Sequence, residues 1–492
     1  VIFGDYDVDG VSSTALLLEV FHRLGWEAGS YLPHRLDEGY GLSQDGVQNC
    51  LKRFPASLLL AVDCGSTAIA AIEWLRQNGV DVLVLDHHQV SNPPPSALAL
   101  VNPQLASPSD PSFRELCSAG LAFKLAHALV KQGRQMGLTE ALQFDLRPLL
   151  DLVALGTIAD LVPLTGENRI LVTAGLQRLN STKRAGLLAL KTVAQTNGPI
   201  GVYEVGFQLA PRLNAAGRLE NAEQALQLLL AADPIQAERL ARELDAQNRE
   251  RQQIERRMAD DIIGALRARF NPDSDFVIVE GRLLWHIGVV GIVASRVLRE
   301  FHRPTIIVGG EGEEWRGSGR SIEGFDLAAG LRACDDLLLR HGGHALAAGL
   351  SIRADQVDAL RCRLNDLVRR TLPPEFLQPS LQLDSEVELS QLTLERVQEL
   401  GRLEPIGSGN PPVQLIGRNL KHQRPPQRLG KEQQHLKMWV TDGRAVHEAV
   451  WWNAAQRTWP EAPFDLAFVP RLNPYNGRET VQLKVLDWRP GA

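Results

Sequence analysis

The strongest constraint in this 492-residue chain is that its short apolar runs stop on carboxylates. Val1–Phe3 passes through Gly4 to Asp5, Asp7 and Asp9; Leu58–Val62 ends on Asp63; Val82–Leu85 ends on Asp86, His87 and His88. Each run has strand length, and each is followed by a stretch that reads as helix, such as Ser12–Leu24 or Ser66–Asn78. Strands alternating with helices fold as a mainly parallel sheet covered on both faces. Ligands bind such sheets at the carboxyl ends of the strands, so the three clusters should converge.

Asp5, Asp7 and Asp9 recur at every second residue. In extended backbone that spacing aims all three side chains the same way. Gly10 permits a tight turn, and Ser12 or Ser13 is expected to cap the next helix. A fourth carboxylate, Asp160, sits within the otherwise almost wholly apolar run LVALGTIADLVPL. The plain alternatives are an aspartate-rich surface turn and, for Asp160, a helix cap or a turn. Several like charges side by side are tolerated best with a cation among them. Carboxylate and imidazole ligands suit Mn²⁺ or Mg²⁺ better than a thiolate-seeking metal. A metal pair of this kind serves hydrolysis of a phosphoester or phosphoanhydride.

The chain is 44% hydrophobic and 22% charged, which excludes collagen-like, disordered and disulfide-scaffold classes. No uncharged apolar run reaches the roughly 18 residues of a membrane helix, so no membrane association is expected. The chain opens on VIF without Met or a basic leader, so no signal peptide and a missing upstream segment are expected. Cys50, Cys64, Cys117, Cys334 and Cys362 are scattered without a CxxC pair, which reads as reduced thiols in a cytoplasmic protein.

SNPPPSALAL (91–100) and PSDPS (108–112) read as loops. Helix is expected from about Glu115 to Gly201, apart from a loop around Gly166. Residues 235–270 lack proline and mix Arg with Glu and Asp, which reads as one long exposed helix, a solvated connector. A second α/β pattern follows in FVIVE, GVVGIVASRVLREF and PTIIVGG. RTLPPEFLQPS marks a boundary, and alternating runs from about Val413 suggest a small β-barrel or sandwich. The expected division is a catalytic α/β domain (1–232), a connecting helix (233–270), a second α/β domain (271–370) and a small all-β domain (371–492).

DYDVDG, VDCG, DHH and GTIAD, in this order, resemble the four motifs of the DHH phosphoesterase superfamily. PRLNAAGRL, WHIGVVGIVASR, GSGRS and GGHALAAGL are similar to signatures of its RecJ exonuclease family. The resemblance runs from residue 1 to about 355. It implies a DHH catalytic domain, a DHH-associated substrate-binding domain and two divalent cations, Mn²⁺ or Mg²⁺. The implied activity is 5′-to-3′ hydrolysis of single-stranded DNA to nucleoside 5′-monophosphates, in DNA repair and recombination.

Carried over by motif, Asp7 serves one metal, Asp9, His87 and Asp160 the other, and Asp63 bridges them. Asp5 and Asp86 are expected as ligands or as partners of ligands, with Asp63 and Asp86 counted beside His88 in the catalytic group. His88 is expected to face the scissile phosphate. Phe3 departs from the family, many members of which place a histidine ligand there.

A pocket for a terminal 5′-phosphate needs arginine forks and hydroxyl or amide donors. RGSGRS has this character, and the resemblance points to Ser318 and Arg320, with Arg35 reaching from the catalytic domain. Gly342 and Gly343 allow close backbone approach and leave His344 for substrate. Arg212, Asn214 and Arg218 resemble a substrate-lining segment; the plain alternative is an ion-paired helix start. His286 reads equally as a cleft residue or a packed core histidine.

The formal net charge of -6 argues mildly against a nucleic-acid partner, yet it is an average. Residues 413–492 hold twelve Lys or Arg against seven Asp or Glu, leaving -11 for the rest. They also carry Trp439, Trp451, Trp452, Trp459 and Trp488. A basic groove with stacking aromatics is how OB-folds hold single strands, although most of these tryptophans are expected in the barrel core. The expected partners are single-stranded DNA, a single-strand-binding protein and a helicase. The rival readings are a small-substrate DHH phosphatase or oligoribonuclease and a non-catalytic single-strand-binding replication protein. Length and the tryptophan-rich module favour a polymer substrate, and intact metal motifs favour catalysis.

Overall fold

The computed structural model describes residues 1–491 except 36, 40, 106–113, 197, 220, 456, 476 and 477, so the expected loop PSDPS lies outside the described residues. Contacts divide the chain into two units: Val1–Asp160 with Ala174–Pro379, and Leu161–Thr173 with Ser380–Ala492.

The first unit opens with β1 (Ile2–Gly4), α1 (Val8–Arg23), β2 (Ser30–Tyr31), α2 (Gln44–Arg53), β3 (Leu58–Val62), α3 (Ile69–Gln77), β4 (Asp81–Leu85) and β5 (Ala99–Val101). The strands form one all-parallel sheet in the order β2-β1-β3-β4-β5. Gly4 pairs with Val62, and Val62 with Leu85, so β1, β3 and β4 end flush. Adjacent strands lie about 5 Å apart, which sets the spacing of whatever follows them. Phe3, Val47, Leu59, Ile72 and Leu75 fill the core between this sheet and α2 and α3.

α4 (Ser118–Gln135) and α5 (Leu150–Ala159) pack with α1. Every residue of α5 from Leu150 to Ile158 is buried, as a helix apolar on all sides must be. A Cβ on Gly156 would lie 2.5 Å from Ser12 Oγ and 2.6 Å from Ala119 Cβ. Glycine there lets α5 sit tightly on both neighbours.

α6 (Ala210–Leu219) leads to the connector, α7 (Pro234–Arg269), whose N-cap Asp233 accepts from the Ile235 and Gln236 N–H groups. The helix is where the sequence places it, but it is no solvated spacer. Ala237, Leu240, Ala241 and Leu244 are buried along its first half, and Met258, Ala259, Ile262 and Leu266 along its second. The second group packs against Ile278, Val290, Val293 and Val297 of the next domain. Most of its charges cover the outer face, while Asp245 and Arg251 are buried beside the apolar stripe.

That domain has β6 (Ile278–Leu283), α8 (Val290–Phe301), β7 (Thr305–Gly310), β8 (Glu314–Arg320), β9 (Leu338–Gly343), β10 (Ala347–Arg353) and α9 (Val357–Thr371). Its sheet runs β6-β7-β8-β10-β9, with β6 and β7 parallel and the other neighbours antiparallel.

In the second unit, β11 (Ser385–Glu386) edges five longer strands: β12 (Leu415–Leu429), β13 (His435–Thr441), β14 (Val446–Trp451), β15 (Phe464–Tyr475) and β16 (Arg478–Pro490). β12 also pairs with β15, so the five close into a barrel rather than a sandwich. Trp451 is buried in its core, and Trp459 and Trp488 pack against it. Leu161–Thr173 belongs with this unit: the Leu164 N–H donates to Ser408 O at 2.7 Å, and Arg169 donates to the Arg402 and Glu404 carbonyls.

Candidate metal centre and phosphate pocket

The aspartates after β1 do not converge by strand alternation. The chain turns from strand to helix within three residues, and Asp7, rather than Ser12 or Ser13, is the N-cap of α1. Its Oδ1 accepts the Asp9 and Gly10 N–H groups at 2.9 and 3.1 Å. Ser12 and Ser13 lie buried inside the helix. Gly10 serves packing, because a Cβ there would stand 2.5 Å from the Asp5 carbonyl oxygen. Asp9, in the first turn, is held from the far side: the Ser118 and Ala119 N–H groups donate to its two oxygens at 2.7 and 2.9 Å. The N-terminus of α4 thus supports a carboxylate, as the helix dipole favours.

Asp63 follows β3 with φ +63, a left-handed conformation that non-glycine residues rarely hold without cause. Ser118 Oγ donates to its Oδ1 at 2.9 Å. His87 Nε2 lies 3.3 Å from Asp63 Oδ1, 3.5 Å from Asp160 Oδ2 and 3.8 Å from Asp9 Oδ2. Asp160 is the C-cap of α5, so the helix-cap alternative holds for its backbone while its carboxylate reaches the cluster. Ligand atoms group as Asp5, Asp7 and Asp63; as Asp9, His87 and Asp160; and as Asp63, His87 and His88, each set within 4.8 Å.

Asp5 Oδ1, Asp63 Oδ2, His87 Nε2 and Asp160 Oδ2 are buried and accept or donate no hydrogen bond. Burial, and then the charges of its neighbours, pushes the Asp5 and Asp63 carboxyls well above their ordinary range and Asp160 to about 9. Oxygen and imidazole donors left bare in this way fit divalent cations, which would replace the missing partners and neutralise the charge.

Asp86 has a different job. Its Oδ1 accepts the His87 and His88 N–H groups and lies 2.8 Å from His88 Nδ1, and its Oδ2 accepts the Ser66 N–H. Burial would raise this carboxyl, but the bonds from His88 and the backbone hold it well below the usual range. Burial would likewise lower His88, and Asp86 raises it to about 9. With Nδ1 on Asp86, the His88 ring presents Nε2 on its far side. Phe3 is wholly buried, 5.5 Å from the Tyr31 ring on the α2 side of the sheet, and contributes packing.

A second constellation is cationic. The Arg35 guanidinium lies 5.2 Å from the centroid of the Tyr6 ring. Arg320 donates to Ser318 Oγ at 2.8 Å, and Arg218 to Gly288 O at 3.1 Å. Burial, and then the Arg35 charge, lowers Arg320 and takes Arg218 down to about 10. Among the described residues none of the three arginines forms an ion pair. Gly291, in the first turn of α8, faces the same spot: a Cβ there would lie 3.0 Å from Arg320 Nη2 and 3.1 Å from Ser318 Oγ. Mutually repelling guanidinium groups beside a hydroxyl form a seat for an anion.

The remaining expected residues divide. Asn214 Oδ1 accepts the Val8 N–H at 3.1 Å, tying α6 to the start of α1. Arg212 is taken up by Asp245 of α7 at 2.9 Å, the ion-paired alternative. His286 Nδ1 accepts the Gly288 N–H at 3.1 Å. His344 is exposed in the β9–β10 hairpin, where Gly343 at φ +133 leaves room for the Ala347 carbonyl. Gly349 pairs with both Ser318 and Gly342, so Gly342 lies in the same cross-strand row as Ser318. In the barrel, Arg424 covers the Trp439 ring at 3.2 Å, and Trp452 is 48% exposed beside His435. Ser118 is the functional-site residue that sequence reasoning missed.

Three family models match the chain: the DHH family N-terminal domain over residues 1–157, the DHHA1 domain over 274–370 and the RecJ OB domain over 383–487. The chain is 36% identical over 99% of its length to the single-stranded-DNA-specific exonuclease RecJ of Bacillus subtilis, of which it spans 61%. It is 37% identical to the RecJ of Dickeya dadantii, spanning 86% of that protein. The crystal structure of RecJ in complex with Mn²⁺ from Thermus thermophilus superposes with a TM-score of 0.83 at 32% identity, over 99% of this chain and 68% of that one.

Proposed function

The chain belongs to the RecJ family, and from this we propose that it is a metal-dependent exonuclease specific for single-stranded DNA. In this reading it works from the 5′ end and releases nucleoside 5′-monophosphates in DNA repair and recombination. The observation that carries it is the set of bare, buried donor atoms on Asp5, Asp63 and His87, just past the flush ends of parallel strands, and on Asp160 at the C-cap of α5. That a relative was crystallised in complex with Mn²⁺ supports divalent cations as the occupants.

Two such cations, when bound, would supply an activated water and stabilise charge on the phosphoryl oxygens. Asp7 is assigned to one, Asp9, His87 and Asp160 to the other, and Asp63 to both, with Asp5 beside the first. Asp86 orients His88 toward the scissile phosphate, and His88 donates a proton in a hydrogen bond to its oxygen. Arg35, Ser318 and Arg320, with Arg218 next to them, take the terminal 5′-phosphate and so fix the polarity. His344, Gly342 and Gly343 line the strand beyond, and Asn214 and Arg212 hold the wall of the path.

The same reading keeps residues 1–232 as catalytic domain, 233–270 as connecting helix, 271–370 as substrate-binding domain and 371–492 as OB-fold-like domain. No helix among the described residues is long and apolar enough to cross a membrane, and all five cysteines are free. In this reading the protein acts in the cytoplasm, where free thiols persist. A strand must be unpaired before it can be threaded, so a helicase and a single-strand-binding protein are the partners this substrate calls for.

Asp63→Ala tests the assignment. Hydrolysis should be abolished while strand binding stays measurable; full activity in the variant would overturn it.

A further inference from the structure

The helical stretch before α6 carries two largely exposed aromatic rings. Tyr203 is 62% and Phe207 70% exposed, and their rings stack on each other at 5.0 Å and 30°. Four residues apart, they occupy successive turns of one face, while Val205 and Leu209 bury the opposite face completely. Between them begins a π-helical turn, Val205–Leu209, an element found frequently at functional sites.

Position gives the pair its meaning. Gly206, beside Phe207, sits against α5: a Cβ there would be 3.9 Å from Ile158 Cγ2, two residues before Asp160. Seven residues after Phe207, about 10 Å along a helix, Asn214 binds the Val8 N–H next to Asp7. The segment that carries the rings therefore packs on the end of α5 that bears Asp160 and leads into the helix that holds the start of α1.

We propose that Tyr203 and Phe207 form a stacking platform for an unpaired base of the strand that runs away from the scissile phosphate. The proposal rests on the reading of the protein as a single-strand exonuclease. Stacking on an aromatic ring accepts any base, since every base has a π face. A base held in a duplex is already stacked on both sides, so the platform also contributes to the choice of single strands.

The test pairs the Tyr203→Ala/Phe207→Ala double variant with Tyr203→Phe, in single strands carrying 2-aminopurine at successive positions from a 5′-phosphate. Binding is read by fluorescence in EDTA, and cleavage with Mn²⁺. In wild type, quenching should be strongest at one position. It should vanish in the double variant, with an about ten-fold rise in KM, the size expected for one lost base stack, and both should stay at wild-type values in Tyr203→Phe. If wild type binds and cleaves but the double variant shows the same quenching and KM, the platform is wrong and the exonuclease reading stands. A rise in KM with quenching unchanged at every position would also overturn it. If wild type neither binds nor cleaves single strands, the exonuclease reading falls and the platform with it.

Discussion

His88 Nδ1 lies 2.8 Å from an Asp86 oxygen that also accepts the backbone N–H groups of His87 and His88. One carboxylate thus fixes the ring's orientation, its tautomer and the turn that carries it. Asp86→Asn keeps the shape and loses the charge. We expect kcat to fall about 10- to 100-fold, the usual effect of removing a group that orients a functional histidine. His88, raised to about 9 by Asp86, should titrate lower in the variant. Activity that depends on its protonated form should then decay at lower pH than in wild type. Superimposable pH profiles would contradict this.

The crowded carboxylates make stability depend on pH. Burial and neighbouring charge raise Asp5, Asp63 and Asp160 above the ordinary aspartate value of about 4. The native state then keeps protons that the unfolded chain has released, so stability falls as pH climbs from that value toward about 9. In EDTA, Tm should drop between pH 5.5 and 8, with a shallower slope in Asp160→Asn. Mn²⁺ should raise Tm more at pH 8 than at pH 5.5. An equal metal effect at both pH values would contradict the account.

The cationic pocket predicts a substrate-dependent defect. Arg320→Ala and Arg35→Ala should each slow digestion of a 5′-phosphorylated strand about ten-fold or more, since each removes charge-assisted bonds. Strands with a 5′-hydroxyl should be digested at nearly the wild-type rate. The double variant should add little, because both side chains act on one phosphate. Equal losses on both substrates would count against the pocket.

The connector makes a stability prediction. Leu240 and Leu244 are 1% and 0% exposed. Either one changed to Ala should cost about 2–5 kcal/mol in urea unfolding, where a solvated spacer would cost almost nothing. An unchanged unfolding midpoint would restore the spacer reading.

Much of the site was legible because strand ends announce themselves: an apolar run stopping on Asp63 or Asp86 can be read without coordinates. What could not be read was support by backbone. Ser118 and Ala119 hold Asp9 through their N–H groups, which leave no trace in residue identity; only the Ser118 hydroxyl, which donates to Asp63, is visible in the sequence. The alternation of Asp5, Asp7 and Asp9 suggested convergence for the wrong reason, since a helix starts at Val8. In α7 a stripe of Ala and Leu was hidden by the charges around it. Leu161–Thr173 joins the C-terminal unit through bonds that the Leu164 N–H and the Arg169 guanidinium give to backbone carbonyls, acceptors that composition cannot reveal.

The central claim is most directly tested by digesting a single strand in Mn²⁺, labelled in parallel at its 5′-phosphate or its 3′ end. The 5′ label should appear at once as mononucleotide while the 3′-labelled strand shortens stepwise, and a blunt duplex should resist. Release of the 3′ label first, or no mononucleotide at all, would contradict the account.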